Sequence, residues 1–325
     1  MNPEEIDSFL KKTAGISTGV DVPVRGFVPS GSLALDWAIS GKLSGGGMPI
    51  GRIVELFGDP STGKSLLLMH ILANTQKAGG IALYDDVEGR FDRFFAEKVG
   101  VDVSKLYFLE YDNDTAKTVE GHFEKVEELL KKIREKDSEI LVTVAIDSLA
   151  ALSTRHEVES DWDKLDMFKA KLIHKGMRKL GGRFSKQNVL YMVSNQTIAN
   201  VGVMYGPKST TPGGGGTKFQ ASVRLELSRG KLILGVNEKK VGTHTKIEVV
   251  KNSVAPPFKE VEIDISWATG VDRLSGMFEV LVEEGVIVQS GSWWEYKEKK
   301  YRQDDLMSQI EEILKDAVGE NKTAV

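Results

Sequence analysis

The sequence predicts an α/β fold. A mostly parallel central sheet is covered by helices on both faces and extended by antiparallel strands, with a small α+β unit beyond it. Three observations carry this. An apolar β-like run, Ile53–Phe57, enters a glycine-bounded turn and leaves it as a helix-forming run. From Gly51 onward, apolar strand patterns alternate with amphipathic helical ones, as parallel sheets require. From residue 221, strand patterns follow one another across short turns, the habit of antiparallel strands.

Taken in order, Ile6, Phe9 and Leu10 recur at helical spacing within Asn2–Thr13. A helix so short cannot bury itself and must dock on another surface, such as a neighbouring copy. Residues 14–31, rich in Gly, Val and Pro, read as an extended arm, and Leu33, Leu35, Trp37 and Ile39 form a compact apolar stretch ending at Ser44–Gly47. Strands are predicted at 52–57, 81–86, 105–110, 140–146 and 189–194, with helices at 64–78, 91–99, 115–136 and 166–184. The later strands are 221–228, 231–237, 245–251 and 260–266, with turns at Arg229-Gly230 and Val241-Gly242. After Trp267 the pattern is helical at Met277–Glu284 and Asp304–Val318, around an aromatic hairpin at Ser292–Tyr296. The expected divisions are 1–30 (helix and arm), 31–266 (core), 267–319 (small C-terminal domain) and 320–325 (disordered tail).

Composition narrows the chemistry. With 41% hydrophobic and 28% charged residues, the chain can bury a sizeable core. It has no cysteine, which excludes disulfides and thiolate metal sites, and its five histidines show no metal-ligand spacing. Neither a signal peptide nor a membrane-length apolar run is visible, so a cytoplasmic location is expected. A net charge of −4 argues against a generally basic surface but permits a local basic groove.

The turn Gly58-Asp59-Pro60-Ser61-Thr62-Gly63-Lys64-Ser65 has P-loop spacing. Its backbone N–H groups and the helix N-terminus that follows suit phosphate oxygens. Lys64 would place a positive charge on the β/γ-phosphates, and the Ser65 hydroxyl would hold Mg²⁺. The buried run 140–148 ends in Asp147-Ser148, where Asp147 would orient that ion. The run Ile81–Tyr84 ends in Asp85, Asp86 and Glu88; any of the three could polarise an attacking water, and spacing does not choose between them. A third strand ends in Ser194-Asn195-Gln196, where an amide can sense a γ-phosphate oxygen. Thr197–Thr217 follows, a glycine-rich loop long enough to be functional. In 166–184, Phe168, Leu172, Ile173, Met177, Leu180 and Phe184 would face the core, while Lys169, Lys171, Lys175, Arg178, Lys179, Arg183 and, just beyond, Lys186 crowd the rest.

These segments, together with Gly31–Asp36, Asp147–Leu152, Gly202–Gly206, Ala221–Leu225 and Val249–Asn252, make the chain from about Gly31 to Tyr301 resemble the RecA family of DNA strand-exchange ATPases, including bacterial RecA and the phage UvsX type. The resemblance implies ATP and Mg²⁺ as cofactors, single- and double-stranded DNA as partners, and a helical filament in which the N-terminal helix and arm grip the neighbour. Mediator and single-strand-binding proteins are further partners it suggests; no membrane is implicated. By resemblance, Glu88 is the glutamate that activates water, Asp92 and Phe95 contact the adenine, and Gln196 couples γ-phosphate to DNA binding. Glu157–Lys164 and Thr197–Thr217 match the two DNA-binding loops. Lys171, His174, Arg178, Gly213 and Gly214 fall where the family contacts the primary strand, and the apolar Val201 and Met204 would wedge between base steps. Lys251 matches the first of two lysines reaching a neighbour's γ-phosphate, but Ser253 stands at the second. A monovalent cation such as K⁺ or another basic side chain would then supply the missing charge, or turnover is slow. Ile198 and Asn200 replace basic residues of bacterial RecA. The expected function is ATP-dependent homologous recombination; the alternatives are a ring-shaped helicase or motor on the same core, or a nucleotide-switched regulator of a protein partner.

Overall fold

The structure, a computed structural model, describes residues 24–112, 117–159, 168–199, 209–210 and 215–321, with Glu5, Ile6 and Phe9. The short pair β1 (Phe27–Val28) and β2 (Met48–Pro49) brackets α1 (Leu33–Ser40), whose first turn is capped by the Ser32 hydroxyl. Then come β3 (Ile53–Gly58), α2 (Lys64–Lys77), β4 (Ile81–Asp86), α3 (Arg93–Lys98), β5 (Leu106–Phe108), α4 (Val119–Lys136), β6 (Val142–Asp147), α5 (Arg155–Glu159), α6 (Lys169–Phe184) and β7 (Val189–Gln196). The small pair β8 (Ile198–Ala199) and β9 (Ser209–Thr210) precedes α7 (Gly215–Gln220). Long β10 (Val223–Leu234) and β11 (Lys240–Asn252) follow, with β12 (Glu260–Ser266) and β13 (Gly270–Val271). The chain ends with α8 (Met277–Glu283), the sheet β14 (Val288–Ser290), β15 (Trp293–Tyr296), β16 (Lys299–Tyr301), then α9 (Gln303–Met307) and α10 (Ile310–Asn321).

The central sheet has nine strands in the order β13-β12-β11-β10-β3-β7-β6-β4-β5. From β10 to β5 every neighbouring pair is parallel, and β11, β12 and β13 extend the β10 side antiparallel, as expected. The inner strands of the parallel set are covered on both faces, which is why β3 is buried at every position, whereas the edge strand β5 exposes Tyr107 and Phe108. On one face Leu67, Ile71 and Trp37 pack with Met277, Leu281 and Ile313 of the C-terminal unit; on the other lie Phe123, Val126, Met177 and Phe184 of α4 and α6. Each such side chain contributes roughly 1.5–3 kcal/mol through burial.

A buried polar cluster sits inside this largely apolar sheet. Glu55, fully buried on β3, receives Arg224 Nε from β10 at 2.5 Å and Asn195 Nδ2 from β7 at 2.6 Å. The Arg224 guanidinium also lies 4.4 Å from the centre of the Phe57 ring.

The hairpin differs from expectation. Arg229-Gly230 and Val241-Gly242 are not turns: β10 and β11 run through both, and the reversal falls at Gly235–Lys239. A Cβ on Gly230 would lie 2.9 Å from the His244 carbonyl oxygen, and one on Gly242 2.3 Å from that of Ile265. These glycines therefore serve close strand approach and a bulge near Gly230, not chain reversal. The predicted 304–318 helix is two helices, α9 and α10, and α10 continues to Asn321, two residues into the expected tail. Phe168 does not face the core; it is 56% exposed beneath the Lys171 ammonium.

His70 on α2 ties this helix to the strand leading into the C-terminal unit: its Nε2 accepts the Val271 N–H at 3.1 Å. Burial pushes the imidazole down to about 4, below the usual 6.5 of an unfolded chain. A depressed folded value means stability that is complete above about pH 6.5 and lost as pH falls toward 4. Asp36, which accepts the Ser30 N–H at 2.8 Å, has the opposite sign: burial pushes it up to about 7, so its contribution is lost as pH rises through 7. Comparing wild type with His70→Leu by urea unfolding separates the two. The wild-type advantage should shrink between pH 6.5 and 4.5; an advantage constant across that range would refute the assignment.

Candidate functional site

The parallel register aligns the carboxyl ends of four strands into one cleft. Gly58 pairs with Gln196 and Asp86 with Asp147, so the ends of β3, β7, β6 and β4 lie side by side. Beyond β3 the P-loop turns back at Gly58 (φ +146°), where a Cβ would lie 2.0 Å from the Leu227 carbonyl oxygen. Only glycine fits there. Helix α2 begins at Lys64 with no side chain capping its first turn, leaving its N–H groups for an anion. The Lys64 ammonium donates to the carbonyls of Gly58 (2.9 Å) and Asp59 (2.7 Å) and lies 3.5 Å from Thr62 Oγ1. Burial lowers its pKa, against the pull of Asp147, Asp59 and Glu88.

Pro60, Ser61, Lys64, Ser65, Glu88, Asp92, Phe95, Asp147 and Gln196 all line this cleft, so most of the expected nucleotide residues are brought together. Asp147 accepts hydroxyl hydrogen bonds from Ser194 (2.5 Å) and Tyr84 (3.3 Å), and burial raises the Tyr84 pKa. The Ser65 hydroxyl and Asp147 carboxylate are hard oxygen donors, a set that suits Mg²⁺ completed by phosphate oxygens. Among the described residues no cluster of three or more potential ligands offers a dedicated metal cage. Asp92 also caps α3 through Phe95 N–H at 3.0 Å.

Geometry separates the three carboxylates left open by spacing. Asp85 points to the opposite face, buried against His122 Nδ1 (2.6 Å) and the Tyr111 hydroxyl (2.5 Å), and His122 Nε2 lies 2.6 Å from the Tyr191 hydroxyl. Asp86 spends both oxygens on the N–H groups of Arg90 and Phe91, shaping the loop. Glu88 projects into the cleft. Its Oε1 accepts from Ser148 Oγ (2.7 Å) and Gln196 Nε2 (3.3 Å), and its Oε2 pairs with Arg90 at 3.0 Å. Sequence reasoning missed Ser148, Ser194, Tyr84 and Arg90; the strand-end position of the two serines was the available signal.

Other expected residues lie elsewhere. Lys251 is outside the cleft: it pairs with Arg224 across β10–β11 and donates to the carbonyls of Lys218 and Phe219 at the end of α7. Burial, with Arg224 nearby, lowers its pKa. Lys171, His174 and Arg178 ride on α6, where His174 Nε2 meets Gln220 of α7 at 3.2 Å. Lys179 and Arg183 both pair with Glu127 of α4. Val201, Met204, Gly213 and Gly214 lie outside the described residues, as do Asn200 and residues 160–164.

The RecA N-terminal domain family matches residues 9–272. The chain is 41% identical over 298 residues to Protein RecA of Rubrobacter xylanophilus, covering 91% of this chain and 78% of that one. It is 40% identical over 302 residues to Protein RecA of Bacteroides thetaiotaomicron (92% and 87%), and 36% identical over 327 residues to that of Porphyromonas gingivalis (99% and 89%).

The Ser148 hydroxyl is the shortest hydrogen bond to Glu88. Ser148→Ala should lower single-turnover hydrolysis of a nucleoside triphosphate about tenfold, near 1.4 kcal/mol, while triphosphate affinity changes less than threefold. An unchanged rate would remove Ser148 from this role.

Proposed function

Because the chain belongs to the RecA family, we propose that it is an ATP-dependent homologous recombination protein. It forms a helical filament on single-stranded DNA and catalyses homology search and strand exchange, with DNA-stimulated hydrolysis of ATP to ADP and phosphate. The observation that carries this reading is the hydrogen bond from Gln196 to Glu88 at 3.3 Å. It joins the carboxylate suited to activate water to the strand that runs directly into Thr197–Thr217, the loop proposed to bind DNA. Relatives named Protein RecA that span about nine-tenths of the chain disfavour a ring motor or a regulator.

When bound, ATP with Mg²⁺ supplies the terminal phosphoryl group that passes to water. Backbone N–H groups of Gly58–Ser65, Pro60 excepted, and the Lys64 ammonium hold the phosphates, and Ser65 and Asp147 offer oxygens to the metal. Asp92 and Phe95 bracket the adenine. Glu88 takes a proton from the water, its carboxylate held by Ser148, Gln196 and Arg90. Lys251 serves a neighbouring protomer. Lys171, His174 and Arg178, with Val201, Met204, Gly213 and Gly214, contact the primary strand.

The same reading assigns 1–30 to gripping the neighbour, 31–266 to the ATPase and DNA-binding core, and 267–319 to a small C-terminal domain. No helix among the described residues is long and apolar enough to cross a membrane, and we place the protein in the cytoplasm beside mediator and single-strand-binding proteins.

ATP hydrolysis with and without single-stranded DNA tests the proposal. DNA should stimulate wild type, and Glu88→Gln should lose about 10²–10⁴-fold in rate while still binding DNA with a non-hydrolysable analogue. A rate indifferent to DNA would overturn it. Separately, Ser253→Lys should raise the rate and abolish any dependence on potassium over sodium; a wild-type rate equal in both salts and unmoved by the substitution would dismiss the missing-cation account.

A further inference from the structure

The strands flanking β3 each send a side chain over the rim of the P-loop. On the β7 side, Gly58 pairs with Gln196, so the next residues, Asp59 and Thr197, leave the sheet side by side. Thr197 Oγ1 donates to Asp59 Oδ1 at 2.6 Å. On the β10 side, Gly58 pairs with Leu227, and two residues on Arg229 Nη2 donates to the carbonyls of Pro60 (3.3 Å) and Ser61 (3.4 Å).

Asp59 is thus held from two directions. Its carboxylate holds Thr197, while its own carbonyl accepts from Lys64 Nζ at 2.7 Å and from Thr62 Oγ1 at 3.0 Å. An ammonium has three N–H bonds, and the carbonyls of Gly58 and Asp59 with Thr62 Oγ1 account for all three. Lys64 cannot reach a phosphate oxygen without giving up at least one of them. Releasing the Asp59 carbonyl frees the backbone that carries the Asp59 carboxylate from its hold on the Lys64 side.

We propose that the Asp59–Thr197 hydrogen bond is a positioning strut that transmits occupancy of the P-loop to the first residue of the loop after β7. This rests on the reading above, that nucleotide controls DNA binding, and adds a second route beside Gln196. Gln196 reports on the γ-phosphate through Glu88; the strut reports on the conformation of the phosphate loop itself. The Arg229 strap on the opposite flank holds the rim at Pro60 and Ser61, so motion set off at Lys64 is directed toward the Thr197 side.

The test is single-stranded oligonucleotide affinity measured on the full chain without nucleotide and with a non-hydrolysable ATP analogue. The ratio of the two affinities is the coupling. Thr197→Val keeps the branched shape and removes the donor, and it should reduce that ratio about 5–10-fold. Asp59→Ala should do the same, whereas Asp59→Asn, which keeps an acceptor oxygen, should retain most of the coupling. A purely structural role would weaken binding equally in both states and leave the ratio untouched. A wild-type ratio well above one that Thr197→Val does not change overturns the strut alone. A wild-type ratio of one overturns the strut and the underlying reading together.

Discussion

The buried carboxylate of Glu55 sets the frame for everything else. It shares its two oxygens between Arg224 on β10 and Asn195 on β7, so three adjacent parallel strands are bound at one point by groups that tolerate no alternative partner. Removing Arg224 would strand the Glu55 charge in the sheet, a loss of several kcal/mol, while a slip of one residue would turn Glu55 to the wrong face. The register it maintains is the one that brings Gly58 opposite Gln196 and, through β6 and β4, Asp147 opposite Asp86. The cleft is a consequence of strand alignment, and strand alignment depends on this polar clamp.

Within the cleft, Glu88 gathers contacts from three strand ends. Arg90 follows β4, Ser148 follows β6, and Gln196 ends β7. A carboxylate so held has little rotational freedom, which favours proton transfer along one direction. It also means that any displacement of β7 is felt at Glu88. Under the proposed function, chemistry and polymer binding then share a mechanical part and need no long relay between them.

Much of this was legible beforehand. The P-loop stands out because its glycines and lysine are spaced by geometry, and the strand-helix alternation because burial on two faces forces continuous apolar runs. What escaped reading is instructive. Asp85 and Asp86 look equivalent in sequence, yet consecutive strand residues face opposite sides, and Asp85 was claimed by His122 on the helix-covered face. Gly230 and Gly242 resemble turn residues because a sequence does not reveal that a neighbouring carbonyl lies within 3 Å of where each would carry a Cβ. Ser148 and Arg90 acquire meaning only through Glu88, a contact that crosses sixty positions in the first case. Phe168 fits a helical stripe, but α6 begins one residue later and leaves it outside.

The apolar seam that joins α2 to α8 and α10 bears on how the chain comes apart. Leu67 and Ile71 of α2 share one continuous cluster with Met277, Leu281 and Ile313. A change of composition near Trp267 therefore does not mark a line of weakness. Heat or denaturant should dismantle the C-terminal unit and α2 in a single cooperative melt, so truncating the former would leave the latter with a bare, sticky flank prone to aggregation.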